Sequence, residues 1–355
     1  MRVSTRHGSR WPGLLICAAV LLATMPAEAQ ETTTYSYDTL GRLVGSTRTG
    51  GINDGFGVRI VYDRADNRTQ YAVNNGRATL VFQNSDGTVA TWQVNGGSNL
   101  GGGTLGNPGA GWTAKAVADF VGTGESDILF QHTDGRLAIW RSDGLHLIGG
   151  GDIGNAGGAY TYKGVGDFNG DGKADILFQN ANGTYATWDL NGTAIIGGGT
   201  IGAATGYTFV AVGDMNGDGK ADILFKDASG NYASWLLNDI TIIGGGGSIG
   251  NPGAGWSFKG LADFNGDGKA DIMFQNASGL YSSWDLNGIA VIGGGNIGNP
   301  GGSYSLAKII DINHDGKADL VFEDATGNYV AWLLNDTQIL QGATIGYTAT
   351  SWRLL

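Results

Sequence analysis

The stretch DFNGDGKADILF occupies residues 167–178, and close copies begin at Asp214, Asp263 and Asp311. Each copy is an acidic, glycine-broken loop followed at once by an apolar run such as Ile176-Leu177-Phe178. A fifth, weaker copy, DFVGTGESD, begins at Asp119. The leading aspartates of the five copies are separated by 48, 47, 49 and 48 residues. An aromatic stands seven residues before each (Trp112, Tyr160, Tyr207, Trp256, Tyr304), and a tryptophan 21 residues after each (Trp140, Trp188, Trp235, Trp284, Trp332). Length changes only after that tryptophan, in runs such as GGGTIGAATG. Those runs are therefore linkers between units, where insertions cost little.

Within one unit, YKGVGDF precedes the acidic loop, ADILFQN follows it, and turns at ANG and NGT separate TYATWDL and AIIGGG. No stretch keeps an apolar stripe of helical period for three turns, so the unit reads as four short strands. Four-stranded units of 40–50 residues, repeated, predict an all-β β-propeller. The small residues Gly164 and Gly166, or Ala116 and Ala118, suit a crowded innermost strand near the central channel. ATLVFQNSDGTVATWQVNG (78–96) matches the second and third strands of a unit without its first, and the terminal YTATSWRLL (347–355) matches a first strand alone. The two ends together make one composite blade. Six four-stranded blades are expected, with the C-terminal strand closing the first; ring closure removes edges that would invite aggregation.

Composition agrees. Sixty-five glycines among 355 residues without a Gly-X-Y period exclude collagen, while 41% apolar residues and ten tryptophans supply a core and argue against disorder. At the N-terminus, three arginines precede the apolar LLICAAVLLATM, and AEA at 27–29 offers a cleavage site; residues 1–29 read as an export signal too short to span a bilayer. Its removal takes away three basic residues, one acidic residue and the only cysteine, moving the net charge from −11 to −13. The mature chain has no disulfide to staple it, and its surface disfavours nucleic acid and anionic membranes while favouring cations. The expected compartment is secreted, periplasmic or cell-surface. The domain reading is signal peptide 1–29, a separate segment 30–76, and the propeller 77–355.

The loop carries hard oxygen donors at its positions 1, 3, 5 and 9, with the backbone carbonyl of position 7 pointing the same way. In the first intact copy these are Asp167, Asn169, Asp171, Asp175 and the Lys173 carbonyl. In the second they are Asp214, Asn216, Asp218, Asp222 and Lys220, and in the third Asp263, Asn265, Asp267, Asp271 and Lys269. The fourth has Asp311, Asn313, Asp315, Asp319 and Lys317. Alternate residues facing inward on a chain that curls around one point is the design of a calcium loop, and Gly172 supplies the sharp turn. Oxygen donors without histidine or cysteine select a hard cation, and Ca²⁺ tolerates an irregular cage that Mg²⁺ does not. It is no EF-hand, because position 12 is Phe178, Phe225, Phe274 or Phe322 where that motif needs a bidentate Glu. The simpler reading is that Asp-Asn-Gly makes a good turn. The copy at Asp119 keeps Asp127 but has Val121 and Thr123 at its centre, and little or no binding is expected there.

At these residues the chain resembles the FG-GAP/VCBS repeat family, the propeller repeats of integrin α-subunits and of many bacterial secreted proteins. The resemblance covers residues 77–355 and implies a calcium-binding propeller used in adhesion, carbohydrate recognition or scaffolding. The integrin form typically has seven blades, so six is a departure. YSYDTLGRL (35–43) and VYDRADNRTQY (61–71) resemble instead the YD repeats of Rhs-type surface proteins, implying one or two hairpins.

Three functions compete. A secreted binding module for carbohydrate or an extracellular protein would use the face opposite the acidic loops, where QNANG, KDASG, QNASG and EDATG lie with the linker aromatics. Against that, the strand-three tryptophans suit inter-blade core, and the linker aromatics can pack beneath the glycine loops. A structural repeat of a surface assembly needs no ligand at all. An enzyme is not expected: the histidines left after export, His132, His146 and His314, occupy unrelated repeat positions, and His314 is read as facing solvent within its loop. No H-E-x-x-H motif occurs.

Overall fold

In each repeat the run after the acidic loop is buried on both faces and the fourth strand is largely exposed, while the third strand alternates in blades 3, 5 and 6. The computed structural model of the chain describes residues 32–37, 42–49, 56–62, 68–75 and 77–355. The export signal read at 1–29 lies outside the described residues. Among them there is no helix, and none long and apolar enough to cross a membrane.

Residues 77–355 form six four-stranded antiparallel blades in a ring, as the repeat predicts. Blade 3 is typical: Tyr160–Gly166, Asp175–Asn180, Thr184–Asn191 and Ala194–Ala203, hydrogen-bonded in chain order. Blade 2 begins at Trp112–Ala118 with Asp127–His132 next, and blades 4, 5 and 6 begin at Tyr207–Gly213, Trp256–Ala262 and Tyr304–Ile310. Blade 1 is the composite. Its innermost strand is Trp352–Leu354, pairing Trp352 with Asn84 and Leu354 with Phe82, and its other strands are Ala78–Asn84, Val89–Asn95 and Ser98–Gly106. The first strand of every repeat is bulged at one place, such as between Tyr162 and Gly164, which adds local twist.

The core lies between blades. Phe120, Leu129 and Ile139 of blade 2 pack with Ile176, Phe178 and Leu190 of blade 3. Each strand-three tryptophan reaches back to the preceding blade: a Cβ on Gly106, Gly154, Gly202, Gly250, Gly298 or Gly346 would lie 3.0–3.7 Å from Trp140, Trp188, Trp235, Trp284, Trp332 or Trp92. These six contacts go right round the ring, so the tryptophans belong to the inter-blade core. The inner strands are crowded as expected, since a Cβ on Gly166 would stand 2.6 Å from Ala221 and 2.7 Å from Val212.

The N-terminal segment is a separate four-stranded antiparallel meander, Thr32–Tyr37, Leu43–Thr49, Phe56–Tyr62 and Arg68–Asn75. Its hairpins fall where the two YD-like motifs stand, and parts of both motifs lie outside the described residues.

Candidate metal centres in the blade loops

The acidic loop joins the first and second strands of blades 2 to 6. In blade 3, Asp167 Oδ1 accepts from the amides of Gly170 (2.7 Å) and Asp171 (3.1 Å), and Oδ2 from that of Gly172 (2.7 Å). Asn169 Oδ1 accepts from the Asp171 amide at 2.8 Å, and Asp171 Oδ1 from the Lys173 amide at 3.0 Å. Positions 1, 3 and 5 thus each turn an oxygen toward amides further along, a stack of turns that winds the loop around its own donors. Asp214, Asn216 and Asp218 repeat the pattern, as do Asp263, Asn265 and Asp267, and Asp311, Asn313 and Asp315. Gly172 takes the left-handed conformation the winding needs, φ 83°.

Position 9 has a role the spacing alone did not reveal. Asp175 is fully buried; its Oδ1 accepts from the Leu190 amide at 2.8 Å and its Oδ2 from the Phe168 amide at 2.9 Å. It latches the start of the loop to the end of strand three. Asp222, Asp271 and Asp319 bridge the equivalent amides, and so does Asp127 in the weak copy. Burial pushes the carboxyls of Asp175, Asp222, Asp271 and Asp319 up to about 7, and that of Asp127 to about 6. A signal for this role was available: Asp127 persists where the central donors Val121 and Thr123 have lost theirs.

The loops are also sewn to their neighbours. The amide at position 8 donates to the position-1 carbonyl of the preceding blade: Ala174 to Asp119 (2.8 Å), Ala221 to Asp167 (2.6 Å), Ala270 to Asp214 (2.6 Å) and Ala318 to Asp263 (2.7 Å). The carbonyl at position 2 accepts from the strand 3–4 turn of the following blade, as Phe168 does from Asp239 (3.0 Å) and Met215 from Gly288 (2.7 Å).

The residues fit a hard cation by donor chemistry, with three carboxylates, an amide oxygen and a carbonyl per intact loop. As the loops stand, the carboxylate oxygens face amides, and among the described residues no three acidic or histidine side chains converge as a metal cage. The oxygens with a single amide donor, such as Asp167 Oδ2, Asp171 Oδ1 and Asp175 Oδ1, keep a second lone pair. The Asp171 and Asp267 carboxylates also hold Lys173 Nζ at 3.0 Å and Lys269 Nζ at 3.1 Å. His314 departs from the solvent-facing reading. It is half-buried, φ 59°, and its Nε2 is enclosed without a hydrogen-bond partner. The glycine at this position in the other loops packs against the lysine of the next blade's loop, as Gly170 does on Lys220. The blade after His314 is the composite one, whose first two strands are joined by no loop, and the imidazole takes that space.

On the opposite face the strand 2–3 turns and the linkers do meet: Asn155 Nδ2 donates to the Asp134 carbonyl, and Asn251 Nδ2 to that of Ser229. The polar groups there are largely engaged in their own turns. Asp227 accepts from the Ser229 amide and from the Asn231 amide and side chain, and Asp324 likewise from Thr326 and Asn328. Tyr160 and Tyr207 stay 36% and 41% exposed, while Trp112 is half-buried against His132 and Arg136. A cleft of about 340 Å³ lies along blade 3, walled by Tyr160, Phe178, Trp188 and Ile195 over Gly197–Thr200.

A repetitive all-β ring with an acidic loop at the same place in five successive blades defines a β-propeller built of acidic-loop repeats. Residues 167–225 and 263–322 match the FG-GAP-like repeat, two stretches that run from the acidic loop of blade 3 into blade 4 and from that of blade 5 into blade 6. No curated protein matches this sequence. Among solved structures, the Tc holotoxin pore of Photorhabdus luminescens is similar over 88% of this chain at 14% identity and TM-score 0.44, with 16% of that longer chain covered. Raptor of Chaetomium thermophilum is similar over 80% at 10% identity and TM-score 0.42, with 26% of it covered. The Dos1 propeller is similar over 81% at 11% identity and TM-score 0.37, with 78% of it covered.

Proposed function

We propose that this chain is an exported, calcium-stapled propeller that works as a binding module, with carbohydrate as its ligand class, and that it is not an enzyme. The observation that carries the calcium part is the seam. Each loop is hydrogen-bonded through its own backbone to the next blade, so an ion gathered by its donors stiffens the joint between blades as well as the loop. Bound calcium supplies charge neutralisation: four ions would move the mature chain from −13 to about −5. Asp167, Asn169, Asp171, the Lys173 carbonyl and Asp175 would hold one ion, and the three other intact loops would do the same. Without disulfides in residues 30–355, these ions are the staple that closes the ring. Equilibrium dialysis against ⁴⁵Ca tests it; no uptake by the folded chain overturns the calcium reading.

The cleft on blade 3 supports carbohydrate. Tyr160 is its exposed aromatic, backed by the core residues Phe178 and Trp188 with ring centroids 6.4 and 5.0 Å apart, beside the backbone of Gly197–Thr200. One observation favours a purely structural repeat instead: the turn carboxylates and amides of that face are satisfied internally. A glycan array read in calcium and again in EDTA separates the two readings, since a structural repeat gives no signal in either condition.

A further inference from the structure

At three junctions of the ring, the residue after the strand-three tryptophan touches the strand 3–4 turn of the next blade. Between blades 1 and 2, Gln93 Nε2 donates to the Gly144 carbonyl at 3.0 Å, and Thr91 Oγ1 to the same oxygen at 2.6 Å. Between blades 4 and 5 and between 6 and 1 the contact is apolar: Leu236 and Leu333 lie 3.4 Å from where Gly288 and Gly96 would carry a Cβ. Blades 3 and 5 differ. The strand position holds Asp189 and Asp285, 5% and 6% exposed, and the turn position of the following blades holds Asp239 and Asp336.

An acid therefore stands at both positions of each of these two seams. Asp239 and Asp336 accept φ of 57°, where Gly96, Gly192 and Gly288 sit at 54°, 62° and 63° in the other blades. Independently, Oδ1 of Asp189, Asp239, Asp285 and Asp336 is in every case enclosed and without a hydrogen-bond partner. After burial itself, Asp239 and then the loop residue Asp171 help to hold the Asp189 carboxyl above the usual range, as Asp336 and Asp267 do for Asp285. Thr187 Oγ1 and Ser283 Oγ, beside those carboxyls, are also unpartnered, but so is Ser234 Oγ at a Leu–Gly seam; the carboxylates set the two seams apart. The neighbouring cations are engaged: Lys220 and Lys317 donate to Asn238 and Asn335, and Lys173 and Lys269 pair with Asp171 and Asp267. Lys317 also bears on Asp336.

A buried carboxylate without a partner is strongly disfavoured, and two facing one another more so. We propose that the seams between blades 3 and 4 and between blades 5 and 6 each hold a hard divalent cation, gripped between Asp189 and Asp239 and between Asp285 and Asp336, separate from the acidic loops. Oxygen donors alone, with a hydroxyl beside them and no sulfur or imidazole, select calcium or a similar ion. The sites recur every second blade, matching the alternation of WDLNG with WLLND in the sequence.

The test is the Asp239→Gly/Asp336→Gly double variant of the full chain, which restores the residue the other blades use. Bound ⁴⁵Ca per chain and melting temperature are read with calcium and with EDTA. The expected result is two fewer equivalents than wild type, a higher melting temperature in EDTA, and a smaller gain on adding calcium. Equal stoichiometry overturns the proposal, as does a change of pH dependence alone, which would mean that each pair shares a proton. The loop reading fails separately: wild type at two equivalents and the variant at none keeps the seam sites and loses the loops. Four equivalents in both keeps the loops and loses the seams. A second variant, Asp189→Leu/Asp285→Leu, copies the Leu–Gly seams and must lose the same two equivalents.

Discussion

The loops at 119–127 and 167–175 have nearly the same conformation and very different chemistry. Asp119 accepts from the amides of Val121, Gly122 and Gly124, much as Asp167 accepts from Gly170, Asp171 and Gly172. Asp127 latches to Phe120 and Ser142 as Asp175 does to Phe168 and Leu190. Yet the first loop has Val121 and Thr123 where the second has Asn169 and Asp171. Winding the loop therefore takes only the first aspartate, the glycines and the last aspartate. The central oxygens of the second loop, which accept from the Asp171 and Lys173 amides, reinforce that winding without being required for it.

Removing calcium breaks the comparison most completely. Each occupied site contributes roughly 1.5–4 kcal/mol at tenfold to thousandfold excess over Kd. Four sites should then lower the melting temperature by more than about 10 °C in EDTA, read by differential scanning calorimetry. An unchanged melting temperature would show that the four loops are only turns, like the loop at 119–127.

The latch comes next. Asp271→Ala leaves the amides of Phe264 and Leu286 buried without acceptors, and should cost about 3 kcal/mol in urea unfolding even in EDTA. Asp127→Ala should cost about as much, but equally in calcium and in EDTA; for Asp271→Ala the loss should grow in calcium. Equal losses for Asp271→Ala in both conditions would assign position 9 to the latch alone.

Protonation gives a third probe. The latch carboxyls have folded-state values raised to about 7, so their neutral form is the one the fold favours. Their contribution is fully present below the unfolded value near 4 and is lost as the pH climbs through about 7. The metal-free chain should melt several degrees lower at about pH 8 than at about pH 5. Saturating calcium, which favours the ionised form, should flatten or reverse that slope. A metal-free chain that gains stability over this range contradicts the burial seen here.

The smallest expected effect is the most specific. Val121→Asn with Thr123→Asp should convert the weak loop into a fifth centre, adding one calcium equivalent by dialysis and about 1.5–4 kcal/mol in calcium, with little change in EDTA. Absence of the extra equivalent would mean that the central donors are not what separates the two loops.

Much of the architecture was legible because repetition multiplies weak signals. One YKGVGDF is an ambiguous strand, but five copies at intervals of 47–49 residues fix four strands per unit, and fragments at 78–96 and 347–355 specify a sixth blade. The tryptophans could be read as core or as platforms; packing decided for core, because Gly154 and its counterparts open the space that each indole fills. Asp175 looked like a donor and nothing more, since spacing shows which residues share a loop but not how deeply they are buried. His314 was misread for a similar reason, its surroundings being set by a blade whose strands come from opposite ends of the chain.

Local pattern thus determined the repeat, the strand count and the turn chemistry, because each depends on residues close in sequence. Which acids come to share a seam, as Asp189 and Asp239 do, depends on residues 50 positions apart that are brought together only when adjacent blades dock. That is why the latch, the half-buried imidazole and the carboxylates at the seams were decided only by the tertiary structure.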